Sequence, residues 1–284
     1  MKILVIGGSG FIGSFLMKQY NCTGTSTTGG GSLVKLDIRD PESVNSLLQE
    51  IEPELVINAS GMTNVDFCET HPDQAQQING NAVKNLSDAC SRKGIKFVHI
   101  STDYVFDGIS GDYVETDSPN PLNEYGKSKV AGENLCNLEN DIVLRISTPY
   151  GPNLAKAKLT FMEFVVSKVG AGQTVKIVED QITTPTYVGD IPSAIEALVR
   201  DGCSGVYHLG SKERLSRYQF ASMVAEVFGH DVQYVVPVST EELHFIAKRP
   251  KDSSLNVEKI SQHYRIPTIR SSLVRTMNLM REIR

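Results

Sequence analysis

The sequence predicts an α/β chain in which a doubly wound parallel sheet carries a smaller α/β lobe, and three observations lead there. A short apolar run, Lys2 to Ile6, leads into Gly7-Gly8-Ser9-Gly10-Phe11-Ile12-Gly13 and then a helical stretch to Tyr20: strand, glycine turn, helix. Strand-like and helix-like runs alternate from there to Ile146. Beyond Tyr150-Gly-Pro152 the pattern changes, which sets a first domain over residues 1–150 and a second over 151–284, with segments around 182–203 as candidates to return to the first.

Length and composition narrow the function. A chain of 284 residues with 40% hydrophobic content can bury a large core. A net charge of -5 with mixed signs leaves no basic patch, so a small-molecule ligand is expected rather than nucleic acid. Cys22, Cys68, Cys90, Cys136 and Cys203 are odd in number and never form Cys-x-x-Cys, so they are expected to be reduced and buried, with neither a disulfide framework nor a structural metal. No run approaches the length of a membrane span or a signal segment, and a cytoplasmic protein is expected, as monomer or homodimer.

The glycines match Gly-x-Gly-x-x-Gly from Gly8 and Gly-x-x-Gly-x-x-Gly from Gly7, and either brings backbone amides to a pyrophosphate at a helix N-terminus. The second strand, Cys22 to Thr27, ends without the carboxylate that holds a ribose 2'-hydroxyl; Thr27 and its neighbours offer hydroxyls and amides there, or simply form a flexible loop. Val34 to Ile38 reads as a strand, and Asp40-Pro41-Glu42 opens a helix with an N-cap and a first-turn proline. Leu55 to Ala59 is a buried strand ending in Asn58-Ala59-Ser60-Gly61, residues small enough for a cofactor to cross. Met62 to Glu69 reads as a loop, and Pro72 starts a long helix closed by Gly94. Cys68 and His71 have no second pair nearby, so they read as a core cysteine and a helix-start histidine.

The chemistry is expected between Ile100 and Lys129. Phe97 to Ile100 is a buried strand, which puts the Thr102 hydroxyl at its carboxyl end, where open α/β sheets bind ligands. Tyr125 and Lys129 are four apart on a predicted helix, so both side chains leave one face and the ammonium is expected to lower the phenol pKa. The chain has one such Tyr-x-x-x-Lys pair, 23 residues after Thr102. Further strands are expected over Ile142 to Ile146 and Val175 to Val178, and helices over 157–170 and Arg217 to Phe228. Val206 to Leu209 is expected in the second lobe.

Gly7 to Gly13, Leu36-Asp37, Thr63-Asn-Val-Asp66, Ser101-Thr-Asp-Tyr-Val-Phe-Asp-Gly108, Tyr125-Gly-Lys-Ser-Lys129, Asp180-Gln181 and Arg249-Pro250 together resemble the extended short-chain dehydrogenase/reductase superfamily and, within it, the dTDP-4-dehydrorhamnose reductases. The resemblance runs nearly end to end. It implies a Rossmann-like fold, Thr102, Tyr125 and Lys129 as catalytic residues, and Gly7, Gly10, Phe11, Ile12 and Gly13 at the pyrophosphate. Asp37 and Ile38 would lie near the adenine, and Ala59, Ser60, Gly61, Met62 and Thr63 along the cofactor. Thr102, Asp103, Val105, Thr148 and Arg249 would line the substrate side. Where similar reductases carry Trp in Arg-x-Ser-Trp, this chain has Arg145-Ile-Ser-Thr148 and no Trp at all.

The implied activity is reduction of a nucleotide-linked 4-keto sugar, dTDP-4-dehydrorhamnose to dTDP-L-rhamnose, with NADPH as hydride donor and NADH also accepted. Two rivals share the fold: a sugar-nucleotide dehydratase or epimerase, and a non-catalytic regulatory subunit like that of methionine adenosyltransferase. Tyr104 stands where a dehydratase needs Glu, and the intact catalytic trio disfavours the regulator.

Overall fold

The computed structural model describes residues 1–155 and 159–283. Its strands are β1 (Ile3–Ile6), β2 (Thr23–Ser26), β3 (Leu33–Lys35), β4 (Leu55–Asn58), β5 (Lys96–Thr102), β6 (Ile142–Ile146), β7 (Val175–Val178), β8 (Ile182–Thr183), β9 (Gly205–Leu209), β10 (Leu215–Ser216) and β11 (Val235–Val238). Seven form one parallel sheet in the order β3-β2-β1-β4-β5-β6-β9. The order reverses between β1 and β4, so a crevice opens there at the carboxyl ends of the strands.

The near-continuous apolar runs follow from burial on both faces. Leu4, Ile6, Val56 and Phe97 pack on one side with Val44, Leu48 and Leu86 of the Pro41–Ile51 and Ala82–Lys93 helices. Ile3, Val5, Ile57, Val98 and Ile100 pack on the other with Phe15, Leu16, Ile195 and Leu198 of the Phe11–Gln19 and Asp190–Arg200 helices. Local chemistry sets the helix ends. Asp40 caps the Glu42 amide at 3.0 Å ahead of Pro41, and Gly94, at φ +64°, closes the Ala82–Lys93 helix.

The smaller lobe holds the parallel pair β7 and β11, the antiparallel pair β8 and β10, and the helices Phe161–Gly170 and Arg217–Val227, each started by a capping box. Among the described residues no helix is long and apolar enough to cross a membrane.

The structure departs from the sequence reading at several points. Val206–Leu209 belongs to β9 and pairs with β6, completing the large sheet rather than the second lobe. An edge strand short of apolar residues carries no mark of which sheet it joins. Residues 65–70 form a helix capped by Asn64 instead of a loop. The long helix after Pro72 contains a π segment, Gln76–Asn81. The helix expected over 157–170 runs from Phe161 to Gly170; residues 157 and 158 of that expectation lie outside the described residues. Cys68, Cys90 and Cys203 are buried, whereas Cys22 and Cys136 are only partly so.

Candidate functional site

The crevice holds two adjoining cavities of about 410 Å³ each, which share Gly10, Ala59, Ser60 and Gly61 as lining. The first runs past Gly7, Ser26, Thr27, Asp37, Ile38, Arg39 and Met62. Here the structure decides between the two glycine patterns. Gly7 has φ +81°, and a Cβ on it would lie 2.8 Å from the Ser60 backbone. A Cβ on Gly13 would lie 2.0 Å from the Gly7 carbonyl oxygen, so Gly13 lets the helix sit against the strand. Gly8 instead faces Leu33 and Gly24, away from the crevice. The working pattern is therefore Gly7, Gly10, Gly13. Gly10 is the N-cap of the Phe11–Gln19 helix and makes no side-chain cap, which leaves first-turn amides free for an anion. These features fit a dinucleotide.

The second cavity is lined by Phe11, Ile12, Thr63, Asn79, Thr102, Asp103, Tyr104, Tyr125, Lys129, Thr148, Phe161 and Arg217. Thr102 is the last residue of β5, and the Glu124–Glu133 helix, capped by Asn123 on the Gly126 amide at 2.8 Å, presents Tyr125 and Lys129 on one face. Lys129 is buried, and its Nζ donates to the Ile100 carbonyl at 2.8 Å and lies 3.1 Å from His99 Nε2. On the far side of that ring Asn58 Nδ2 lies 3.1 Å from His99 Nδ1. Asn58 is oriented by Ser60, whose backbone amide donates to Oδ1 at 3.1 Å. A polar thread thus runs from the cofactor loop to the lysine.

The electrostatics correct one expectation. The Tyr125 phenol is shifted up, not down: removal from water dominates, and its hydrogen bond with Thr102 opposes this only in part. Burial likewise lowers Lys129 to about 8, with the Glu133 carboxylate acting the other way. His99 is pushed well below its ordinary value by burial and by Lys129, which keeps the ring neutral. Asp103 lines the same cavity with its carboxylate already engaged. Its carboxylate is buried and accepts from Ser147 Oγ at 2.8 Å, Ser253 Oγ at 2.5 Å and Thr102 Oγ1 at 3.1 Å. Burial raises it, with those hydroxyls opposing.

Residues 1–282 match the family described as the RmlD substrate binding domain. The chain belongs to that family. A dTDP-4-dehydrorhamnose reductase of Aggregatibacter actinomycetemcomitans is 34% identical to it over 282 residues, 93% of this chain and 94% of that one. Methionine adenosyltransferase 2 subunit beta of Mus musculus is 29% identical over 274 residues, 91% of this chain and 81% of that one. Among solved structures, dTDP-4-dehydrorhamnose reductase from Bacillus anthracis in complex with NADP superposes with a TM-score of 0.89 at 30% identity, over 98% of this chain and 99% of that one.

Two expected substrate residues lie outside this RmlD-type crevice. Val105 is fully buried among Phe106, Tyr113 and Leu255. Arg249 ion-pairs with Asp66 at 2.9 Å and lines a neighbouring groove with Gly108 and Phe245. Thr148 does line the cavity, at φ +40°, a strained conformation for a β-branched residue. Sequence reasoning missed several lining residues, Asn79, Arg39, Phe161 and Arg217 among them. Asn79 projects from the π segment, its Oδ1 accepting from the Met62 amide at 2.8 Å and its Nδ2 donating to the Met62 carbonyl at 2.9 Å. Arg39 lines the first cavity and forms a two-pronged pair with Asp37. It is distant in sequence from the end of β2, but β3 runs parallel to β2 and brings the residues after it to the same edge. Phe161 and Arg217 come from the second lobe, and nothing in their local sequence tied them to Tyr125.

Proposed function

We propose that the protein is an NADPH-dependent reductase of a nucleotide-linked 4-keto sugar, the dTDP-4-dehydrorhamnose reductase reaction being the reading its relatives favour. The observation that carries this is the meeting of Thr102, Tyr125 and Lys129 in one cavity continuous with a glycine turn suited to a pyrophosphate. NADPH supplies the hydride when bound. The chain supplies the proton: a phenol shifted upward keeps its proton at neutral pH and is suited to donate it as negative charge develops on the carbonyl oxygen. Thr102, turning its hydroxyl from Asp103 to the substrate, hydrogen-bonds that oxygen, and Lys129, still cationic below about pH 8, holds the nicotinamide ribose and favours the phenolate left behind.

Tyr125→Phe should retain NADPH binding yet lose about 100-fold or more in turnover. Absorbance of NADPH against a panel of 4-keto sugar nucleotides tests this, and near-normal turnover in the variant would remove Tyr125 from the reaction. The similarity to methionine adenosyltransferase 2 subunit beta supports a second reading, a cofactor-binding regulatory subunit. Failure of every keto sugar to oxidise NADPH, with a change in a partner enzyme's rate, would favour it.

A further inference from the structure

We propose that Arg217, whose guanidinium lies over the Phe161 ring, is a specificity-determining residue that takes the diphosphate of the nucleotide-linked substrate. The proposal rests on the reductase reading and concerns the end of the cavity away from the glycine turn. Three charged side chains line this cavity among the described residues: Asp103, Lys129 and Arg217. Asp103 is engaged by three hydroxyls, and Lys129 by a carbonyl and His99, with its remaining donor assigned to the nicotinamide ribose. Arg217 is half-buried and makes no ion pair or side-chain hydrogen bond with any described residue. A partly desolvated guanidinium with no acid beside it is costly unless a ligand supplies the anion.

The surroundings fix it in place. Arg217 and Phe161 are the first residues of two helices that start side by side, each held by a capping box. The Arg217 backbone amide donates to the Gln181 carbonyl at 2.9 Å, and the guanidinium carbon sits 4.4 Å above the centre of the Phe161 ring. With no protein acceptor on it, the guanidinium keeps its fork of N–H donors for a planar or tetrahedral anion. Arg217 and Tyr104 line the same cavity, and Tyr104 packs edge-on against Tyr125 at 5.9 Å. The free cation therefore shares one cavity with the proposed proton donor. In a nucleotide-linked sugar the diphosphate is joined to the sugar ring whose ketone is reduced, so a sugar at Tyr125 brings its diphosphate toward Arg217.

Calorimetric titration of dTDP, UDP and GDP, with the matching nucleosides, into wild type, Arg217→Gln and Arg217→Lys tests the assignment. The wild type should bind one diphosphate better than its nucleoside. Arg217→Gln should weaken that diphosphate by about 10- to 100-fold and leave the nucleoside unchanged, in line with a charge-assisted two-point contact. Arg217→Lys should recover part of the loss, since it restores charge but not the fork. Unchanged NADPH binding, followed by fluorescence, shows that each variant is folded. A diphosphate that binds wild type and Arg217→Gln equally overturns the role of Arg217 and leaves the reductase reading standing. If no diphosphate binds the wild type, the proposal and the nucleotide-linked substrate fall together, whatever the outcome with NADPH.

Discussion

Lys129 carries its charge only up to about pH 8, well short of an ordinary lysine, because it is sealed between β5 and its own helix. The sign follows directly: a depressed lysine is cationic below its pKa and neutral above. NADPH affinity of the wild type should therefore fall between about pH 7.5 and 9. Lys129→Met should bind weakly at every pH and lose that inflection, as fluorescence titration across the range would reveal. Thr148 poses a different problem at the same scale. Its φ of +40° costs a β-branched residue about 1 kcal/mol or more, whereas Asn adopts this region readily. Thr148→Asn should raise the melting temperature by roughly 2 to 4 °C, and a drop in scanning calorimetry would show that the Thr side chain offsets the strain.

At the scale of elements, the π segment and the Glu124–Glu133 helix act as one clamp. Asn79 holds the Met62 backbone and donates to Ser128 Oγ at 3.0 Å, joining the loop after β4 to the Glu124–Glu133 helix. Close approach is possible because Gly132 has no Cβ; one placed there would lie 2.2 Å from the Asn79 carbonyl oxygen. Gly132→Ala should cost about 1 to 3 kcal/mol in urea unfolding and weaken NADPH binding as well. The strand pair β2 and β3 sets cofactor choice in the same way. With no carboxylate at the end of β2 and Arg39 brought in after β3, NADPH should be preferred over NADH by roughly 3- to 30-fold. Thr27→Asp should reverse the order and Arg39→Ala should shrink it, both measurable by competitive titration. Wild-type preference for NADH would show that the ribose lies elsewhere.

Across the whole molecule, the C-terminal segment is tied to the large sheet through a titrating group. Asp190 is buried at the start of its helix, accepts from Tyr264 Oη at 2.8 Å, and is raised to about 6 by loss of water. Its folded pKa exceeds the unfolded value, so the native state binds the extra proton and stability is lost as pH climbs from about 4 to 6. The loss approaches 3 kcal/mol. Asp190→Asn keeps an acceptor for Tyr264 without the charge, and should exceed wild-type stability at pH 7 by about 2 kcal/mol while matching it near pH 4. A difference that does not change with pH would refute the linkage.

Periodicity and punctuation in the chain determined most of the first domain, since every apolar run buried on both faces declares a central parallel strand and Asp40-Pro41 and Gly94 mark helix ends by chemistry that acts within a few residues. The spacing of Tyr125 and Lys129, and the position of Thr102 after an apolar run, likewise put the three proposed catalytic residues in one cavity. What local signals could not convey depended on distant partners. The placement of β9 is a matter of which strand pairs with β6, and the choice of Gly7 over Gly8 turns on where Ser60 and Leu33 stand. The upward shift of Tyr125 reverses an inference drawn from a neighbouring charge, because desolvation is a property of the packed interior. Arg217 and Phe161 join the crevice only when the second lobe closes over β5 and β6, long-range packing to which no spacing along the chain corresponds.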